Sequence, residues 1–231
     1  MATCPTDTPS TLYARWTANK YDVSFNANGG SGGQSVKVQA TSGSAMPTIT
    51  TNKPTRTGYT FMGWYDNANY AASGAKQYYT AACASARNWD KAQATTLYAG
   101  WKANTITLTW NSQGGSAVAN TAQTYASGTK VKLPANPTRA GYTFKGWFTA
   151  ASGGTQITAN TALPASNATY HAQWTANTIR TTWNVNGGKI DGNAGPFTRD
   201  TVYGSKTLGN AWDIWAEGRL TRPGYTFDGW Y

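Results

Sequence analysis

The sequence predicts a mainly β protein built of small modules in tandem, and three observations carry that prediction. Three sequence landmarks recur in constant order along the 231 residues, which is the signature of a repeat architecture. Within them, apolar and polar residues alternate with the side-chain period of a strand that has one buried face. The composition also suits sheets and turns: aromatics make up 13% of the chain, glycine occurs 25 times and Glu217 is the only glutamate. Aromatics and Thr favour half-buried strands and Gly and Pro favour reversals, so an all-helical fold is excluded.

Each repeat opens at an Ala-Asn junction, at 18–19, 103–104 and 176–177. After the first, Tyr21, Val23 and Phe25 alternate with Asp22, Ser24 and Asn26, and after the second Ile106, Leu108 and Trp110 repeat the pattern. A strand is predicted at each. The N-G-G at 28–30, Q-G-G at 113–115 and N-G-G at 186–188 end these strands, because glycine supplies the positive φ of a tight reversal. The P-T-R-T-G at 54–58 is turn chemistry and leads into a strand, Y-T-F-M-G-W-Y at 59–65. It returns as P-T-R-A-G-Y-T-F-K-G-W-F at 137–148 and as L-T-R-P-G-Y-T-F-D-G-W-Y at 220–231.

Residues 66–95 form a longer insertion, in which Ser85–Ala94 is predicted as a short helix. A closing strand follows, with Leu97, Ala99 and Trp101 alternating with Tyr98 and Gly100. It is matched by Leu12, Ala14 and Trp16 and by Tyr170, Ala172 and Trp174. On this alternation Trp16, Trp101, Trp110, Trp174 and Trp183 face a core, where large aromatic rings help small modules bury enough surface. Counted from junction to junction, 17–101 and 102–174 are complete modules. Residues 175–231 are a third module lacking its closing strand, and residues 1–16 hold the closing strand of a preceding repeat. The short junctions predict a semi-rigid row of modules.

The Asn-x-x-Gly-Gly strand end, the Gly-Tyr-Thr-Phe-x-Gly-Trp core and the Leu-Tyr-Ala-x-Trp closing strand together resemble the Listeria-Bacteroides repeat, also called the internalin B-repeat. The resemblance covers essentially the whole chain. It implies a compact β-grasp-like module with at most one short helix, carried in tandem on secreted or wall-attached bacterial proteins. Adhesion, spacing of other domains and surface assembly are the roles it implies, with an extracellular or cell-surface location. It carries over no catalytic residue.

The chemistry-bearing residues point the same way. His171 is the only histidine, too few for a common metal site, and its alternation with Tyr170 and Ala172 faces it outward. Asp213 and Glu217 are the only acidic pair close in sequence. The G-G-S-G-G at 29–33 lacks the Lys-Ser or Lys-Thr of a phosphate loop. No catalytic, cofactor-binding or metal site is therefore predicted, and the chain is expected not to be an enzyme. Cys4 and Cys83 are too few for a disulfide framework. The net charge of +10 comes from scattered single cations, which reads as a solvated surface and not a nucleic-acid site. No hydrophobic run reaches the ~18 residues that would span a membrane.

Two readings of function follow. The leading one is a structural and adhesive array, a surface stalk or fibre subunit. Its partners are neighbouring repeats and other copies of itself, joined head-to-tail by a closing strand entering the incomplete module, with surface glycans or host receptors as the outside partners of an adhesive array. The alternative is a carbohydrate-binding module for surface glycans, with Tyr78, Tyr79, Trp89, Trp212 and Trp215 as stacking platforms because they lie in the variable insertions. Asn167 opens the single N-A-T glycosylation sequon.

Overall fold

The computed structural model describes residues 11, 13–205 and 218–231. Among them there are strands and turns but no helix. The chain divides into two compact units: the described residues through Thr105 with Thr124–Ser127, and Ile106–Gln123 with the described residues from Gly128 onward.

The first unit is built on β1 (Lys20–Asn26), β2 (Val38–Thr41), β3 (Tyr59–Tyr65), β4 (Gln77–Thr80) and β5 (Thr95–Ala103), in the sheet order β2-β1-β5-β3-β4. β1 and β2 form an antiparallel hairpin, and the closing strand β5 returns to lie parallel to β1 and antiparallel to β3. This is the grasp-like mixed sheet that the motif resemblance implied. Burial runs across the whole sheet: Val23, Leu97 and Ala99 at its centre and Ala40, Tyr78 and Tyr79 on its edge strands are all fully covered. Phe25 meets Trp64 edge-on at 5.0 Å and Phe61 meets it at 5.6 Å, the T-shaped geometry that ring quadrupoles prefer.

A bulge in β3 sets which residues reach that core. The register with β5 shifts between Phe61 and Gly63, so Met62 is the extra residue and the strand changes face. Phe61 and Trp64 are therefore both buried although strict alternation would put them on opposite sides. Gly63 permits this: its φ is 125°, and a Cβ there would stand 2.3 Å from the Tyr79 carbonyl oxygen.

The second sheet repeats the design with β6 (Thr105–Asn111), β7 (Thr121–Thr124), β8 (Tyr142–Phe148), β9 (Gln156–Ile157) and β10 (Ala168–Ala176), ordered β7-β6-β10-β8-β9. β10 again lies parallel to β6 and antiparallel to β8, with an irregularity between Gln173 and Trp174. Trp147 is buried where Trp64 is in the first sheet. The third module forms β11 (Thr178–Trp183), β12 (Lys189–Ile190), β13 (Phe197–Val202) and β14 (Leu220–Thr221), paired as β11 with β13 and β12 with β14.

Several sequence expectations are corrected. Ser85–Ala94 is not a helix. It runs as bends and isolated bridges, Ser85 opposite Tyr79, Asn88 opposite Ala45 and Trp89 beside Ser42. A helix of that length is marginal without packing, and burial of Trp89 holds the segment extended. Trp16 is 88% exposed and Tyr13 89% exposed, not core-facing. Residues 13–19 pair with no described strand, and a strand buries a face only as part of a sheet. Tyr225–Trp230 form no strand, and Trp230 is 36% exposed where Trp64 and Trp147 are buried. Among the described residues no strand pairs with them in the way that β5 pairs with β3 and β10 with β8.

Candidate functional site

Three of the residues proposed from sequence as sugar-stacking platforms are part of the core. Tyr78, Tyr79 and Trp89 are buried and present no ring face to solvent. The insertion folds back on the sheet through β4, which pairs with β3, so its aromatics become core. Their polar atoms are used internally: the Tyr78 hydroxyl donates to the Asp90 carboxylate and the Tyr79 hydroxyl to the Pro47 carbonyl at 2.9 Å. Burial pushes both phenols well above their ordinary range, with the Asp90 charge adding to the effect at Tyr78. The hydrogen bonds from Lys76, at 2.7 Å, and from Tyr78 hold the Asp90 carboxyl down to about 2. Trp212 and Trp215 lie outside the described residues.

Asn167 is exposed, and its side-chain oxygen accepts the Thr107 amide at 2.9 Å. His171 is half-buried with Nδ1 3.0 Å from Gln113 Nε2. No group of three or more His, Cys, Asp or Glu side chains converges among the described residues.

What the fold does assemble is a cleft of about 790 Å³ in the first unit, where the two turn motifs meet. Its floor is the ring of Trp101, whose Nε1 donates to the Ala27 carbonyl at 2.9 Å. Ser31 and Thr55 exchange backbone hydrogen bonds at 2.9 and 2.8 Å and join the Gly-Gly turn to the Pro-Thr-Arg turn. Arg56 donates to the Asn28 carbonyl at 3.3 Å, while its guanidinium carbon sits 4.2 Å above the Tyr59 ring. The remaining wall is Tyr125, from the segment after β7 that belongs to this first unit.

Tyr125 is the residue that sequence reasoning missed. Its ring lies over Gly58, where a Cβ would fall 2.1 Å from Tyr125 Cδ1, and meets Tyr59 edge-on at 5.8 Å. The junction residue Asn104 completes the arrangement. Its amide donates to the Gly58 carbonyl at 3.0 Å, its carbonyl accepts the Tyr125 amide at 2.8 Å, and its side-chain oxygen accepts from the Thr60 hydroxyl at 2.6 Å.

The second unit builds the same clasp from different stretches of chain. Tyr203 covers Gly141, with a would-be Cβ 2.3 Å from Cδ1, and meets Tyr142 at 5.5 Å. Asn177 donates to the Gly141 carbonyl at 2.9 Å, accepts the Tyr203 amide at 2.8 Å and accepts the Thr143 hydroxyl at 2.6 Å. Arg139 stands 3.9 Å above Tyr142, and Trp174 donates to the Ser112 carbonyl at 2.9 Å. The available signal was a shared place: Tyr125 and Tyr203 each directly follow the second hairpin strand.

The family model of the Listeria-Bacteroides repeat domain matches residues 21–100 and 107–173. A putative membrane protein of Evansella cellulosilytica is 31% identical over 225 residues, covering 95% of this chain and 30% of that protein. A putative Gly-rich membrane protein of the same strain is 29% identical over 228 residues, 96% of this chain and 23% of its own length. Internalin H of Listeria monocytogenes is 39% identical over 127 residues, 54% of this chain and 20% of the internalin. The chain thus spans no more than 30% of the length of these relatives. No described helix is long and apolar enough to cross a membrane.

Proposed function

Because the chain belongs to the Listeria-Bacteroides repeat family, we propose that it serves as a non-catalytic repeat array on a bacterial surface, a stalk or adhesive region in which each module is keyed to the next. The observation that carries this reading is the duplicated clasp, Asn104 with Tyr125 and Asn177 with Tyr203. Similarity to internalin H supports the surface location. Antibodies raised against this chain should label intact cells that produce the natural protein. Labelling only after lysis would overturn the reading.

The same reading extends to assembly. Tyr225–Trp230 wait for a closing strand of the Leu-Tyr-Ala-x-Trp type, carried further along a longer chain or brought by a second one. Electron microscopy of the purified 231-residue chain tests the second source: filaments support head-to-tail exchange, and dispersed particles count against it.

A glycan-binding role is favoured by one observation, the partly apolar cleft lined by the half-buried rings of Tyr59 and Tyr125 beside Arg56. Stacking on sugars would occur there and not at Tyr78, Tyr79 or Trp89. A glycan array probed with the chain and with its Tyr59→Ala variant decides it, since loss of every signal in the variant is the expected result and equal binding refutes the role.

A further inference from the structure

The third module carries a third copy of the clasp surface with no tyrosine on it. Arg222 stands 4.0 Å above the Tyr225 ring, as Arg56 and Arg139 stand above theirs. The preceding turn is also alike, the Tyr225 amide donating to the Arg222 carbonyl at 3.1 Å as Tyr59 does to Arg56 at 3.0 Å. Tyr225 is nevertheless 67% exposed. Among the described residues, nothing beyond its chain neighbours lies within 4 Å of where a Gly224 Cβ would stand.

We infer that Arg222, Gly224, Tyr225 and Thr226 form a docking socket for the junction and first hairpin of another repeat of this family, one in which a tyrosine follows the second hairpin strand. The inference rests on the array reading above and adds the identity of the occupant. Two occupied copies in this same chain define what fits. The incoming ring lies flat on the bare Cα of Gly224, edge-on to Tyr225. The incoming junction asparagine donates its amide to the Gly224 carbonyl and accepts the Thr226 hydroxyl, as Asn104 and Asn177 do at Gly58 and Thr60 and at Gly141 and Thr143.

The occupant is not the first repeat of a second copy of this chain. In that repeat the residue following the second hairpin strand is Ser42, whose amide donates to the Asn19 carbonyl at 2.9 Å just as Tyr125 donates to Asn104. The backbone half of the clasp is present there and the ring is missing. The chain's own Tyr125 and Tyr203 are already seated. The socket therefore selects among repeats by a single side chain at the hairpin exit.

The test extends the full chain after Tyr231 with a copy of its own residues 149–205, which supplies a closing strand, a junction asparagine and a hairpin ending in the copy of Tyr203. The readout is the chemical shift of the Gly224 α-protons, because a ring stacked on a glycine moves them upfield. The same shift should mark Gly58 and Gly141 in the unextended chain. In the extended chain Gly224 should acquire it, and replacing the appended tyrosine with Ser should abolish it while Trp230 stays protected by the new closing strand. A Gly224 that does not move once Trp230 is buried overturns the inference and leaves the surface reading intact. An extension that fails to bury Trp230 also counts against it. In the unextended chain, Tyr203→Ser should release the Gly141 shift, and its persistence refutes the clasp from which the socket is inferred.

Discussion

The indole nitrogen of Trp101 donates to the carbonyl of Ala27 at 2.9 Å. The closing strand is thereby tied to the turn that ends the first strand. The ring lies so close to the turn that a Cβ on Gly30 would stand 2.4 Å from its Cζ2. Gly30→Ala should therefore destabilise the first unit by about 1–3 kcal/mol through overpacking. Trp101→Phe should cost about 1 kcal/mol for the lost hydrogen bond, plus the smaller buried surface. Urea unfolding followed by far-UV circular dichroism checks both, and an unchanged midpoint for Gly30→Ala would refute the contact.

The clasp predicts coupling. Tyr125→Ala removes an aromatic pair worth about 0.5–1.5 kcal/mol beyond its buried area. Gly58→Ala forces a methyl group into the Tyr125 ring and strains a φ of 77°. In the double variant the steric part of the Gly58→Ala penalty disappears, so the two costs should add to less than their sum. Strict additivity in a double-mutant cycle would show that the ring does not rest on the glycine.

Acid should weaken the insertion before the rest of the first sheet. Asp90 is held down to about 2 by Lys76 and Tyr78, while an unfolded Asp titrates near ~3.9. Its contribution is complete above the unfolded value and is lost as pH falls through the folded one. The thermal midpoint of the chain should fall between pH 5 and 2 (roughly the span of that titration), and less steeply in Asp90→Asn.

Alkali should act through the buried phenols. Tyr78 and Tyr79 are both raised from 10.0, so stability is complete below about 10 and declines as pH rises above it. Tyr79→Phe should flatten part of that decline, measured as the pH dependence of the urea midpoint. An equal decline in the variant would mean that Tyr79 ionises without unfolding.

Hydrogen exchange should separate the copies of one motif. Amides of 59–65 lie between β4 and β5 and should be protected, whereas those of 225–231 lie in no described strand and should exchange quickly. Equal protection in exchange mass spectrometry would contradict the described third module.

Much of this fold was legible from local pattern. Tyr21–Asn26, the Gly-Gly reversals and the closing strand with Leu97, Ala99 and Trp101 were readable because alternation and turn chemistry are local properties. The insertion was not, since its composition cannot show that Tyr78, Tyr79 and Trp89 turn inward. That outcome depends on the pairing of β4 with β3, a long-range event. Trp16 failed for the converse reason: its pattern is that of a buried strand, but burial needs a sheet to join. Tyr125 and Tyr203 escaped notice because each is a lone ring after a strand, and its role shows only when Gly58 and Gly141 are seen beneath it.

The extra residue at Met62 fixes a length as well as a shape. A strand of plain alternation with this spacing would turn either Phe61 or Trp64 out into water, so the bulge is obligatory wherever the two rings stand three positions apart, whereas the open stretch around Gly74 carries no such requirement. Spacers of this kind can drift in size wherever they reach solvent, but the count from Phe to Trp works like the tooth pitch of a gear, and all three copies keep it.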